Sequence, residues 1–109
     1  MDLGYRLMPT WAQRSQFKYE GSVNSGTIIH YGEGFKFSVE ISRNQYQRLL
    51  AEFASKEVPI GTSRDHPPEG SVGEWLIHNV TPTALASYVG NILVYEGYAS
   101  KERDTIRFF

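Results

Sequence analysis

The stretch TPTALASYVGNILVYEGYASKERDTIRFF, Thr81–Phe109, decides how this chain is read. Thr81-Pro82 joins a favoured N-cap to a proline at the first helical position, where the missing N–H costs nothing. Leu85, Val89, Ile92 and Leu93 then recur at helical spacing, with Tyr88 on the flank. That is the pattern of a helix with one buried face. Gly97 supplies a natural stop, because glycine tolerates the left-handed backbone of a helix C-cap. SKERD then turns the chain and TIRFF returns, so the stretch predicts a third helix and a short hairpin. Pro82 to Tyr95 holds no charged residue, which raises the question of what the far face of this helix meets.

Upstream, Ser71 with Glu74 matches a capping box, in which serine oxygen and acidic side chain satisfy orphan backbone N–H groups. It predicts a short helix with Val72, Trp75, Leu76 and Val80 facing inward. TSRDHPPEG is a loop, since two prolines and a glycine forbid regular structure. VPIG before it reads as a short apolar link or an edge strand, because Pro59 cannot donate to a ladder. Ser42 with Gln45 forms another capping box, opening a helix whose Tyr46, Leu49, Leu50 and Phe53 share a face. TIIHYGEGFKFSVEI is the clearest hairpin. Phe35, Phe37, Val39 and Ile41 alternate with Lys36, Ser38 and Glu40 around a Gly32-Glu33-Gly34 turn. FKYEGSV adds a third strand.

Residues 1–16 read as an irregular N-terminal arm containing Pro9. Leu3, Tyr5, Leu7, Met8 and Trp11 make it too apolar to be loose, so it packs on its own domain or on a neighbouring subunit. Residues 17–109 form one α+β domain: an N-terminal antiparallel β-hairpin sheet, three helices and a C-terminal hairpin.

A chain of 109 residues can bury one core. Eleven basic and twelve acidic residues are interspersed along it. Phosphate neutralisation drives much of nucleic-acid affinity, so this balance argues against DNA without excluding a basic patch gathered by folding. No cysteine is present, which removes disulfides and thiolate chemistry. No apolar run is long enough to span a membrane, and MDLGYRLMPTWAQRSQ lacks the apolar core of a signal peptide. The expectation is a soluble cytoplasmic protein.

Two short helices, a tight turn at Asn79-Val80-Thr81 and a hairpin after the EGY stop resemble the winged-helix variant of helix-turn-helix proteins, over residues 70–109. The helix at 42–55 would be its first helix. The resemblance implies DNA binding by the exposed face of the last helix, with the hairpin as wing. Thr83, Ser87 and Asn91 would then face the groove, and Lys101, Arg103 and Arg107 the backbone. Of the base-reading types Arg, Lys, Asn and Gln, that helix offers only Asn91, and Glu96, Glu102 and Asp104 offset the wing's charge. In style, the chain also resembles the small orphan proteins of mobile integron gene cassettes, which implies no activity.

Ala86, Gly90 and Val94 are spaced four apart and make a low-profile strip with Thr83 and Ser87. Glycine costs about 1 kcal/mol in a helix relative to alanine, so Gly90 calls for a reason. Either the hairpin or the N-terminal arm crosses tightly over it, or a second subunit, a partner protein or DNA does. The aromatic content of 14% exceeds what a small core uses and favours an interface.

His30, His66 and His78 show no metal-ligand spacing, so neither metal nor cofactor is expected. Reactive types gather only at Ser63, Arg64, Asp65, His66 and Glu69. Adjacent side chains diverge, so a solvated proline turn is the plain reading, and a ligand loop or catalysis the sharper one. The sequence is read as a non-catalytic protein that self-associates, with a dimer favoured, or binds another protein. The candidate contacts are Leu3, Trp11, Ala86, Gly90, Val94, Phe108 and Phe109. DNA regulation and small-molecule binding at residues 63–69 are the alternatives.

Overall fold

The computed structural model describes residues 4–109 as an α+β fold with seven strands in two antiparallel sheets and three α-helices. The first sheet is a meander of β1 (Tyr5–Pro9), β2 (Gln16–Ser22), β3 (Gly26–Tyr31) and β4 (Phe37–Ser42), paired in chain order. A single 3-10 turn, Glu33–Phe35, joins β3 to β4. Helices α1 (Arg43–Phe53), α2 (Val72–Asn79) and α3 (Ala86–Tyr95) follow. The second sheet has β5 (Glu57–Pro59) and β6 (Ala99–Lys101) on either side of β7 (Thr105–Phe108). Pro59 therefore lies on an edge strand, where its missing donor does no harm. Among the described residues no helix is long and apolar enough to cross a membrane.

The segment expected to be an irregular arm supplies β1. Tyr5, Leu7 and Pro9 pair with Glu20, Lys18 and Gln16, so this edge strand is held by its neighbour rather than by its own propensity. Leu3 lies outside the described residues.

Local signals hold at α1. Ser42 Oγ accepts the Gln45 N–H at 3.1 Å and Gln45 Oε1 accepts the Ser42 N–H at 2.9 Å. At α2 the box is open. Ser71 Oγ accepts the Glu74 N–H, but the Glu74 carboxylate reaches back one residue further, to the Gly70 N–H. Helix α3 begins at Ala86, not at Thr81-Pro82. The Val80 and Thr81 N–H groups both bond to Leu76 O and finish α2, so residues 81–85 are used in reversing the chain. Leu85 then caps α3 without a side-chain bond. The predicted stop is complete: Gly97 has φ 89°, its N–H donates to Val94 O and the Tyr98 N–H to Leu93 O. That is the paired bonding of a Schellman motif.

One core lies between the sheets and helices. Phe17, Tyr19, Ile29 and Ile41 project from the first sheet onto Tyr46 and Leu49 of α1, Leu76 of α2 and Val89, Ile92 and Leu93 of α3. Polar groups in this core are paired, as burial demands. The Tyr46 hydroxyl and Thr27 Oγ1 are hydrogen-bonded at 2.7 Å. Glu96, just past α3, accepts from the Tyr19 hydroxyl at 2.7 Å and from the Val23 N–H at 2.9 Å. Burial, reinforced at Tyr19 by Glu96, pushes the Tyr19 and Tyr46 hydroxyls above the usual tyrosine range.

Candidate interaction surface

The low-profile strip on α3 is covered by the chain's own first segment. A Cβ added at Gly90 would lie 2.7 Å from Trp11 Cε3 and 2.7 Å from Ile60 Cδ1. Only glycine lets the indole cross there. The Trp11 N–H donates to Ser87 O at 3.0 Å, and its indole N–H to Arg103 O at 3.3 Å. Trp11 O accepts from Lys101 Nζ at 2.6 Å, and that ammonium stands 4.6 Å from the ring centroid. The Asn91 amide donates to Pro9 O at 2.8 Å. Residues 9–11 are thereby fastened to both α3 and the β6–β7 hairpin.

This placement corrects most of the contact candidates. Trp11, Ala86, Gly90 and Phe108 are buried within the chain, Phe108 stacked on Phe53 with ring centroids 5.3 Å apart. Val94 is half-buried, and Phe109 alone of the described candidates is exposed. The groove-facing set is corrected too. Asn91 is buried because its amide is needed at Pro9 O. Ser87 is half-buried and Lys101 is engaged by Trp11, while Thr83, Arg103 and Arg107 are exposed. The hairpin register also parts the basic residues. Lys101 pairs with buried Ile106, and Arg107 with Ser100, so the two side chains leave opposite faces of that sheet.

The 63–69 loop borders an open cleft of about 330 Å³, lined by Arg64, Asp65, His66 and Pro67 with Glu74, Ile77, His78 and Pro82. Ser63 does not line it. Its Oγ accepts the backbone N–H of His66 at 3.2 Å, a local turn bond. Among the described residues no group of three His, Asp or Glu side chains could hold a metal ion.

The surface that stands out is the outer face of the four-stranded sheet, opposite the core. Register-paired residues point to the same side, which sorts this face into cross-strand rows, two of which run across all four strands. One row runs Leu7, Lys18, His30, Ser38, and the next Tyr5, Glu20, Ile28, Glu40. The first is basic in its middle and the second acidic. Both begin with an exposed apolar residue on β1: Leu7 is 59% and Tyr5 38% accessible. Lys18 Nζ sits 4.6 Å from the Tyr5 ring centroid and 5.2 Å from that of Phe35. Tyr5 meets the His30 ring edge-on at 5.3 Å. His30 Nε2 and Glu20 Oε2 are 3.1 Å apart, a hydrogen bond and the one contact of ion-pair geometry among the described residues, charged only with the imidazole protonated. Lys18 and Glu40 thus have no ionic partner among the described residues.

A sequence reading passes over this face because the β1 segment looks irregular. The alternation of Tyr5 and Leu7 with Arg6 and Met8, beside Lys18 and Glu20 in FKYEGSV, is the available signal.

No protein-family model, curated protein or solved structure matches this chain, so its surface geometry is the ground for a functional reading.

Proposed function

We propose that the chain is a non-catalytic protein-interaction module that docks its partner on the outer face of the four-stranded sheet. The observation that carries this reading is the exposure of Leu7 and Tyr5 side by side at one end of a face with ordered charges. An antiparallel sheet can leave one face in water, but such faces are then usually polar. Here Tyr5, Leu7, Ile28 and Phe35 put apolar surface between Lys18, Glu20 and His30, and aromatic residues are enriched where proteins meet. In support, the loop expected to gather reactive groups turns its serine oxygen to a backbone N–H instead of an imidazole.

The test is site-specific photo-cross-linking in cells that produce the chain. A cross-linking residue replaces Leu7 in one variant and exposed Gln47 on α1 in another. A discrete protein adduct from position 7 and none from position 47 supports the reading. No adduct from position 7, or equal adducts from both, overturns it.

A further inference from the structure

We infer that the partner on this face is a second copy of the same chain, joined about a two-fold axis that runs parallel to the two cross-strand rows and midway between them. The inference rests on the docking face proposed above. An isologous contact requires a surface complementary to itself, and the register supplies one. Rotation about that axis carries each row onto the other while keeping each strand over its own counterpart. Leu7 then covers Tyr5 of the second copy, apolar on apolar. Lys18 covers Glu20, cation on anion, and the reciprocal contact is made by symmetry. Ser38 covers Glu40, giving that carboxylate a hydroxyl donor. The other in-plane axis, parallel to the strands, is disfavoured. It would set Lys18 over His30 and Leu7 over Ser38, losing both the charge match and the apolar match.

Lys18 is the pivotal residue. Tyr5 and Phe35 hold its ammonium in place, and no carboxylate among the described residues pairs with it. A positioned cation one row from an acidic row is satisfied by the second copy. Two such faces pack about 10 Å apart, within reach of a lysine and a glutamate. Four strands at about 4.8 Å spacing and about six residues at about 3.4 Å cover roughly 19 by 20 Å, about 800 Å² over the two copies, which is below the range of stable interfaces and in that of weak, transient ones. The dimer is therefore weak and concentration-dependent.

Sedimentation velocity over a concentration series tests the inference, using the wild type, Lys18→Glu, Glu20→Lys and the double variant. The wild type shows reversible dimerisation. Each single variant faces like charges across the two-fold and dimerises about tenfold or more weakly at low salt. An equimolar mixture of the two single variants re-forms a dimer, because the acid introduced at position 18 of one chain then meets the base introduced at position 20 of the other. The double variant, with both charges exchanged, recovers self-association. Circular dichroism and thermal melts confirm that each variant is folded. A monomeric wild type at high concentration overturns the inference, as does failure of the two single variants to pair. If position 7 still cross-links to a different protein in cells, the docking face stands and only the identity of its partner is wrong.

Discussion

The indole of Trp11 rests on the backbone of Gly90, and each residue explains the other. A side chain at position 90 would collide with the ring, and without the ring the glycine would be an unrewarded weakness in α3. Gly90→Ala sets a gain in helix propensity of about 1 kcal/mol against an overpacking cost of about 1–3 kcal/mol. The Ile60 Cδ1 tip can swing aside, whereas the Trp11 ring is held by its hydrogen bonds. The expected outcome is a net loss of about 1 kcal/mol. Trp11→Ala alone costs about 3–5 kcal/mol. In that background Gly90→Ala becomes neutral or stabilising. Urea denaturation of all four proteins closes the cycle, and additive effects would refute the contact.

Asn91 and Lys101 fasten the same segment from two sides. Asn91→Ala leaves Pro9 O without its donor and costs about 1–2 kcal/mol. The effect should be local as well as global. Native-state amide exchange in β1 is expected to rise about tenfold or more while β3 stays protected. Uniform change across the sheet would mean that the tether does not act on β1.

Stability should fall in alkali. The folded chain holds the Tyr46 and Tyr19 protons above the usual tyrosine value of about 10, chiefly through burial. Above that pH the unfolded chain releases protons that the fold retains, so deprotonation favours unfolding. Below it both states are protonated and the two residues add no pH dependence. From about pH 10 upward, Tyr46 contributes a slope of about −1.4 kcal/mol per pH unit. Tyr46→Phe lowers stability near neutrality by about 1 kcal/mol, through the lost Thr27 bond, but flattens the alkaline limb. Thermal melts from about pH 8 to about pH 11 bracket the tyrosine range and read both effects.

Leu7→Arg separates surface function from stability. The side chain is exposed, so the unfolding free energy should change by no more than about 0.5 kcal/mol, while self-association is lost. A large destabilisation would place Leu7 in the fold instead of on a docking face.

What is legible in the sequence is what is decided locally. The Ser42 cap, the β3–β4 hairpin, the apolar face of α3 and the Gly97 stop each depend on residues a few positions apart. The misread parts depend on distant partners. Asn91 on an uncharged helix reads as a solvent-facing amide, because its acceptor lies 82 residues earlier in the chain. Tyr5–Pro9 reads as irregular, since a short edge strand ending in proline exists only once β2 is beside it. Thr81-Pro82 has every mark of a helix start, yet the neighbouring α2 draws the Thr81 N–H to Leu76 O. Ala86 and Gly90 are recognisable as a smooth strip, and covering it with the N-terminal arm is one of the readings open from sequence. The outer face cannot be recognised until pairing sets Lys18 and Glu20 in adjacent rows.

The Trp11 clasp also sets an order of events during synthesis. Its bonds to Ser87, Lys101 and Arg103 span 76, 90 and 92 residues. At ribosomal rates of about 5–20 residues per second, Trp11 emerges several seconds before the helix and hairpin that hold it exist, although β2 follows β1 at once. Throughout that interval the indole is open to chaperones or to a neighbouring nascent chain. Closure of this long loop is the kind of non-local step that slows folding. The residue that locks the finished molecule is therefore also the one that keeps it waiting.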